Sequence, residues 1–440
     1  MIERNLMNDL LLWKKSNNRK PLILKGVRQC GKTCLLQEFG KRYFENTAYF
    51  NFERNEQLNS VFEKDSDPNR IIMELSLLGR QKINPQNTLI IFDEVQTCPK
   101  AINSLKYFCE EKPEYALVAA GSLLGITLAG EVGFPVGKVN FLELHPCSFD
   151  EFLNSSNQQL TQYIQNIDNF NNISSAICNE LAEQFKQYLC LGGMPEVLST
   201  FLQTKDFMAA EKVQDEILKS YELDFSKHAP KNDIAKLFLL WKSIPLQLAR
   251  ENAKFMYGEV KSGARARDLE DALRWLLEAG LIHKISRVEK PSIPLAAYED
   301  RKCFKLYLAD TGLLRRLANI PIESILLDDD IFKEYKGRLV ENYVLQNLIA
   351  CGKKEIFYWT SGNTAELDFV IQHKNQIIPV EVKSGLNVRA RSLKVYKEKY
   401  HPESAIRFSM QDLKKDDYLL NIPLYLLFQY EKFIENGNFL

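Results

Sequence analysis

The stretch Pro21-Leu22-Ile23-Leu24-Lys25-Gly26-Val27-Arg28-Gln29-Cys30-Gly31-Lys32-Thr33 decides the fold. It begins as a short apolar strand and breaks into G-x-x-x-x-G-K-T, after which Leu35, Leu36 and Phe39 recur at helical spacing. A strand, a glycine loop and a helix in this order build a cradle for phosphate. The glycines let backbone N–H groups wrap an anion, the helix N-terminus adds positive potential, a lysine reaches the outer phosphates and a hydroxyl meets Mg²⁺. Gly26, Gly31, Lys32 and Thr33 answer these demands. The bland alternative is a glycine-rich turn with an incidental lysine.

Outward from the loop, Thr88-Leu89-Ile90-Ile91-Phe92-Asp93-Glu94 is an apolar run ending in two acids, with Asp93 61 positions after Lys32. A parallel strand covered on both faces reads as continuous apolar sequence, and its carboxyl end is where an α/β sheet binds ligand. This is a Walker B pattern. Asp93 is expected beside Thr33 on Mg²⁺, and Glu94 is expected to orient or deprotonate the water that attacks a γ-phosphate. A third strand, Ala116 to Ala120, ends at Gly121-Ser122 and places the Ser122 hydroxyl at the same end of the sheet as a candidate γ-phosphate sensor. Serine at a strand end is also ordinary turn chemistry.

The order of these motifs resembles the AAA-type P-loop ATPases. The run Phe134-Pro135-Val136-Gly137-Lys138-Val139, Leu142-Glu143-Leu144-His145-Pro146 and Phe149-Asp150-Glu151-Phe152-Leu153 is similar to one bacterial and archaeal branch of them. In that branch an ATPase core precedes a winged helix and a restriction-endonuclease-like domain of unassigned function. The resemblance covers nearly the whole chain and implies ATP and Mg²⁺ as cofactors, with a homo-oligomer in which ATP sits between subunits. Relatives can carry an arginine finger in this segment; here Lys138 stands in the Gly-Lys pair, and lysine lacks the planar two-pronged contact. Leu191-Gly192-Gly193-Met194-Pro195-Glu196 is similar to a further signature of the branch, although from the residues alone it is a helix stop and restart.

Two helical patterns, Asp233 to Ala253 and Ala266 to Ala279, are followed by the strand Leu281 to Ile285, a loop with Pro291 and Pro294, and the strand Phe304 to Leu308. Helix, helix, strand, wing, strand reads as a winged helix-turn-helix. Lys231 to Arg316 holds 17 Lys and Arg against 11 Asp and Glu, a local excess of six in a chain whose formal net charge is zero. Lys261, Arg265, Arg267 and Arg274 at the second helix, with Lys284, Arg287 and Lys290 around the wing, make DNA an expected partner. Packing against protein is the alternative, with Arg265 and Arg267 pairing Asp268, Glu270 and Asp271.

Gly337 to Ile349 is helical with Glu341 on or beside its apolar face, and Glu366 to Ile371 with Ile378 to Lys383 reads as a hairpin. Alternation puts Asp368, Glu381 and Lys383 on one face of it. A helix Glu, a strand Asp and Glu-x-Lys follow the order of the PD-(D/E)xK nuclease fold. Glu341, Asp368 and Glu381 are then candidate ligands of a hard cation that polarises a phosphodiester, with Glu381 and Lys383 as candidate catalytic groups. An exposed charged sheet face is the competing reading.

These readings predict an α/β chain of four parts. A P-loop NTPase parallel sheet occupies residues 1–153 and a helical linker or lid 154–228. A winged helix follows over 229–325, then an α/β nuclease-like domain over 326–440. Its 440 residues, 45% hydrophobic and 26% charged, exclude a disordered or disulfide-dense chain. The nine scattered cysteines suggest reduced, mostly buried thiols. Met1 to Lys15 lacks the pattern of a signal peptide, and no uncharged stretch reaches the ~20 residues of a membrane span, so a cytoplasmic protein without a membrane partner is expected. The Asn, Gln and Ser-rich segment Asn154 to Ser175 reads as a surface connection.

Overall fold

A computed structural model describes residues 2–122, 135–167, 173–250, 253–327, 333–362, 365–385 and 391–436. The chain divides into two compact units. The smaller is built on Glu3–Pro146 together with Trp275–Leu281, and the larger on 147–274 and 282–440.

The smaller unit is a five-stranded parallel sheet. Its strands are β1 (Leu22–Lys25), β2 (Asn46–Asn51), β3 (Thr88–Asp93), β4 (Ala116–Ala120) and β5 (Asn140–Glu143), in the order β2-β3-β4-β1-β5. β3 and β4 are buried at every position, as expected of strands covered on both faces. Phe92 of β3 stands edge-on to Phe52 at 5.4 Å, Phe62 at 5.7 Å and Phe108 at 6.5 Å. This aromatic knot pins the carboxyl end of β3, where Asp93 emerges. The mixed α/β architecture with a P-loop NTPase sheet is the fold expected from the sequence.

The larger unit contains helices Ser175–Leu191, Pro195–Thr204, Phe207–His228 and Ile234–Leu248 and an eight-stranded mixed sheet. The strands are β6 (Ile282–Val288), β7 (Glu299–Leu308), β8 (Ile356–Thr360), β9 (Glu366–His373), β10 (Gln376–Val382), β11 (Ala405–Ser409), β12 (Lys414–Asp416) and β13 (Leu419–Pro423). Their order is β12-β13-β11-β10-β9-β8-β6-β7. The hairpin read as a wing, β6 and β7, is thus hydrogen-bonded into the C-terminal sheet through Arg287 opposite Tyr358. The helix Ala266–Glu278 that precedes it is split by the division into units after Arg274.

The Gly-Gly turn has a packing reason. A Cβ on Gly192 would stand 2.2 Å from Asp310 Oδ1, and one on Gly312 would stand 2.2 Å from Leu191 O. Two backbones therefore cross here with no room for side chains, and Gly193 N–H donates to Asp310 Oδ2 at 2.5 Å. Asp310 is fully buried and its carboxyl is pushed up to about 6 by burial.

Two sequence readings need correction. The segment Asn154 to Ser175 is not a bare connection, because helices Phe149–Ser156 and Gln158–Gln165 run through its first half and bury Leu160 and Ile164. Residues 168–172 of it lie outside the described residues. The helix expected over Asp233 to Ala253 ends at Leu248, with Pro245 tolerated inside it. No helix among the described residues is long and apolar enough to cross a membrane.

Candidate functional site

The glycine loop carries the backbone its sequence demands. Gly26 has φ +151°, and a Cβ there would stand 2.3 Å from the carbonyl oxygen of Leu144. Gly31 adopts φ +94° where the helix Lys32–Tyr43 begins. Lys32 is buried, and its ammonium donates to the carbonyls of Gly26 at 2.8 Å and Val27 at 2.9 Å. The cation is therefore held over the hollow of the loop. Thr33 Oγ1 donates to Asp93 Oδ2 at 2.9 Å, so the two expected metal-side groups meet across 60 residues.

Asp93 is buried and gathers neutral donors. Tyr49 O–H donates to Oδ2 at 2.6 Å, and the backbone N–H of Glu94 donates to Oδ1 at 3.1 Å. Glu94 itself has φ +51°, a left-handed conformation that is costly outside glycine, and its Oε2 accepts from Gln96 Nε2 at 2.6 Å. Ser122 is half-buried just after β4, the strand between β1 and β3. Lys138 is spent on a surface ion pair with Glu110 at 2.9 Å. Phe134 and the rest of 123–134 lie outside the described residues. The donor set fits a nucleotide with Mg²⁺: positive-φ glycines, a poised ammonium, a hydroxyl and a carboxylate met by neutral donors.

Arg4 was invisible to motif reading. It is buried, with Nη1 donating to Cys30 O at 2.9 Å and Nη2 to His145 O at 2.5 Å. It braces the loop from beneath, together with β5, which pairs Leu24 with Leu142 and Lys25 with Glu143. Burial first, and then Arg4, lowers the His145 pKa; nearby Glu143 opposes the shift. A guanidinium on two backbone carbonyls leaves no sequence signature.

The C-terminal carboxylates lie in the larger unit and are handled differently. Glu341 Oε1 accepts from Arg338 Nη1 at 2.7 Å, and Oε2 from Tyr307 O–H at 3.3 Å. Asp368 accepts from Val382 N–H at 2.7 Å, and its carboxyl is pushed up to about 7 by burial and then by the neighbouring Glu341 charge. Glu381 is buried with Arg407 Nε 3.1 Å from Oε2 and Lys383 Nζ 3.4 Å from Oε1. Lys305, wholly buried on β7, pairs with Glu366. The hairpin thus shares a face with Asp368, Glu381 and Lys383 as expected. Among the described residues, however, no three His, Cys, Asp or Glu side chains form a group that could hold a metal ion. Part of the reason is visible in the partners: Arg338 already balances Glu341, and Arg407 and Lys383 balance Glu381, whereas Asp368 makes no ion pair among the described residues.

The basic excess is also partly absorbed. Lys305, Arg315 and Arg316 pair with Glu366, Glu211 and Asp215, all outside Lys231 to Arg316. Arg287 pairs with Asp300, and Arg267 lies 3.7 Å from Asp268. Lys261, Arg265 and Arg274 are exposed and make no ion pair among the described residues.

Residues 18–153 match the family model of an AAA domain. Over this segment the chain is similar to an AAA-type ATPase domain. Residues 182–324 and 336–427 match two models described as domains of unknown function. No curated protein matches. Solved structures similar to the chain include the Walker-type ATPase of Pyrococcus abyssi, at 14% identity over 72% of this chain and 96% of that one, with a TM-score of 0.44. Another is the ORC1 protein of Aeropyrum pernix in complex with DNA, at 16% identity over 73% and 92%, with a TM-score of 0.29. A third is Cdc6p of Pyrobaculum aerophilum, at 13% identity over 75% and 96%, with a TM-score of 0.25.

Proposed function

We propose that the protein is a Mg²⁺-dependent ATPase whose nucleotide state controls a DNA-associated C-terminal region acting as a scaffold. The observation that carries the first half is the meeting of Thr33, at the start of the helix after the glycine loop, with Asp93 at the end of β3. Gly26, Gly31 and Lys32 hold the phosphates, Thr33 and Asp93 hold the metal side, and Glu94 orients the attacking water, with Ser122 facing the same end of the sheet. Bound Mg²⁺ supplies charge to the phosphate oxygens. Glu94→Gln should retain ATP binding and slow single-turnover hydrolysis by about 100-fold, while Lys32→Ala should abolish binding. Unchanged turnover in Glu94→Gln removes that residue as the water-orienting group.

The scaffold half rests on the cationic partners that Glu341 and Glu381 already have in Arg338, Arg407 and Lys383. The nuclease reading, with those carboxylates on a cation and Lys383 beside the phosphodiester, is the one the sequence favours and becomes the second one here, supported by the shared sheet face. DNA contact is assigned to Lys261, Arg265 and Arg274. Their replacement by Glu should flatten the salt dependence of duplex binding by roughly one unit of slope per lost phosphate contact. A slope that stays the same sends the basic helix to a protein partner. The domain limits 1–153, 154–228, 229–325 and 326–440 are kept in this reading, with the hairpin of the third part docked on the sheet of the fourth. Assembly into a homo-oligomer and a cytoplasmic setting belong to the same proposal.

A further inference from the structure

The edge strand β2 carries a polar pair that points at the Walker acid. β2 and β3 run parallel with Asn51 opposite Asp93, so these two side chains emerge on the same face of the sheet. Two residues back, Tyr49 returns to that face. Its hydroxyl donates to Asp93 Oδ2 at 2.6 Å, the oxygen that also receives Thr33 Oγ1 at 2.9 Å. Asn51 completes a relay. Its Oδ1 accepts from the Arg54 N–H at 2.8 Å, which fixes the amide so that Nδ2 faces the Tyr49 hydroxyl at 3.2 Å. Asp93 is thereby held on both oxygens, by Tyr49, Thr33 and, at 3.5 Å, Asn51 Nδ2 itself on one and by the Glu94 N–H on the other. All four donors are neutral, so the carboxylate is oriented without a cationic partner.

Resting on the ATP and Mg²⁺ reading above, we infer that Tyr49, locked by Asn51, is the positioning residue that fixes the Asp93 carboxylate for the metal side of the nucleotide, and so sets how strongly Mg²⁺ enhances nucleotide affinity. A residue with a merely structural role would weaken metal-free and metal-bound nucleotide alike. Tyr49 acts on one side only.

The test is equilibrium titration of the full chain with the fluorescent analogue mant-ATP, once with Mg²⁺ and once with EDTA, for the wild type, Tyr49→Phe and Asn51→Ala. Thermal melting without nucleotide checks the fold. The expected result is that the gain in affinity on adding Mg²⁺ shrinks about tenfold in Tyr49→Phe, with the EDTA affinity held within about twofold. Asn51→Ala should shift the same ratio in the same direction by a smaller factor, and it carries the test if Tyr49→Phe melts early. A ratio unchanged in both variants overturns the inference, as does an equal loss in both conditions. A wild type that binds mant-ATP in neither condition overturns the nucleotide reading itself, and the role of Tyr49 with it.

Discussion

Two sets of buried acids share this chain and are treated in opposite ways. Asp93 is surrounded by Tyr49, Thr33 and a backbone amide, whereas Glu341 and Glu381 are met by Arg338, Arg407 and Lys383. Neutral donors aim a carboxylate and leave its charge for something else to neutralise. Cationic donors aim it and neutralise it in the same act. By this criterion the first site is prepared for a ligand that brings positive charge, whereas Glu341 and Glu381 already have theirs from the protein.

The comparison can be broken, beginning with the largest expected effect. Arg407→Met strips a buried partner from Glu381 and should destabilise the larger unit by about 3 kcal/mol, read from the denaturant midpoint. The double variant Glu381→Met with Arg407→Met should recover most of that, because both charges leave together. A double variant no more stable than the single one means that Glu381 has another use. A smaller signal is expected from Mn²⁺ titration of full-length Lys32→Ala by calorimetry, in which Glu381→Ala should remove no binding. Mn²⁺ uptake that disappears with Glu381→Ala would restore the cation site and with it the nuclease reading. The smallest change is the Tyr49→Phe shift in metal dependence, which separates aiming from neutralising at the first site.

Much of this was legible in the chain because the relevant signals are local. The glycine loop, the run from Thr88 to Asp93 and the hairpin from Glu366 to Val382 each declare themselves within a short, continuous segment. β2 escapes a search for apolar runs because its Asn46, Thr47, Tyr49 and Asn51 dilute the pattern, yet the alternation that leaves Tyr49 and Asn51 half-buried while burying Ala48 and Phe50 is there to be counted. Helices Phe149–Ser156 and Gln158–Gln165 were hidden by polar composition, since a short helix can seal itself with two inward residues such as Leu160 and Ile164. Arg338 lies three residues before Glu341, so that pairing was open to view. Arg407 was not: its meeting with Glu381 depends on β10 and β11 lying side by side in register.

The brace formed by Arg4 has a practical side. The guanidinium that ties Cys30 O to His145 O sits in the opening residues of the sequence, a segment usually treated as a handle for cloning. Losing Arg4 by trimming should act on the phosphate loop as a substitution within the loop would, which nucleotide titration of Arg4→Ala against the wild type checks.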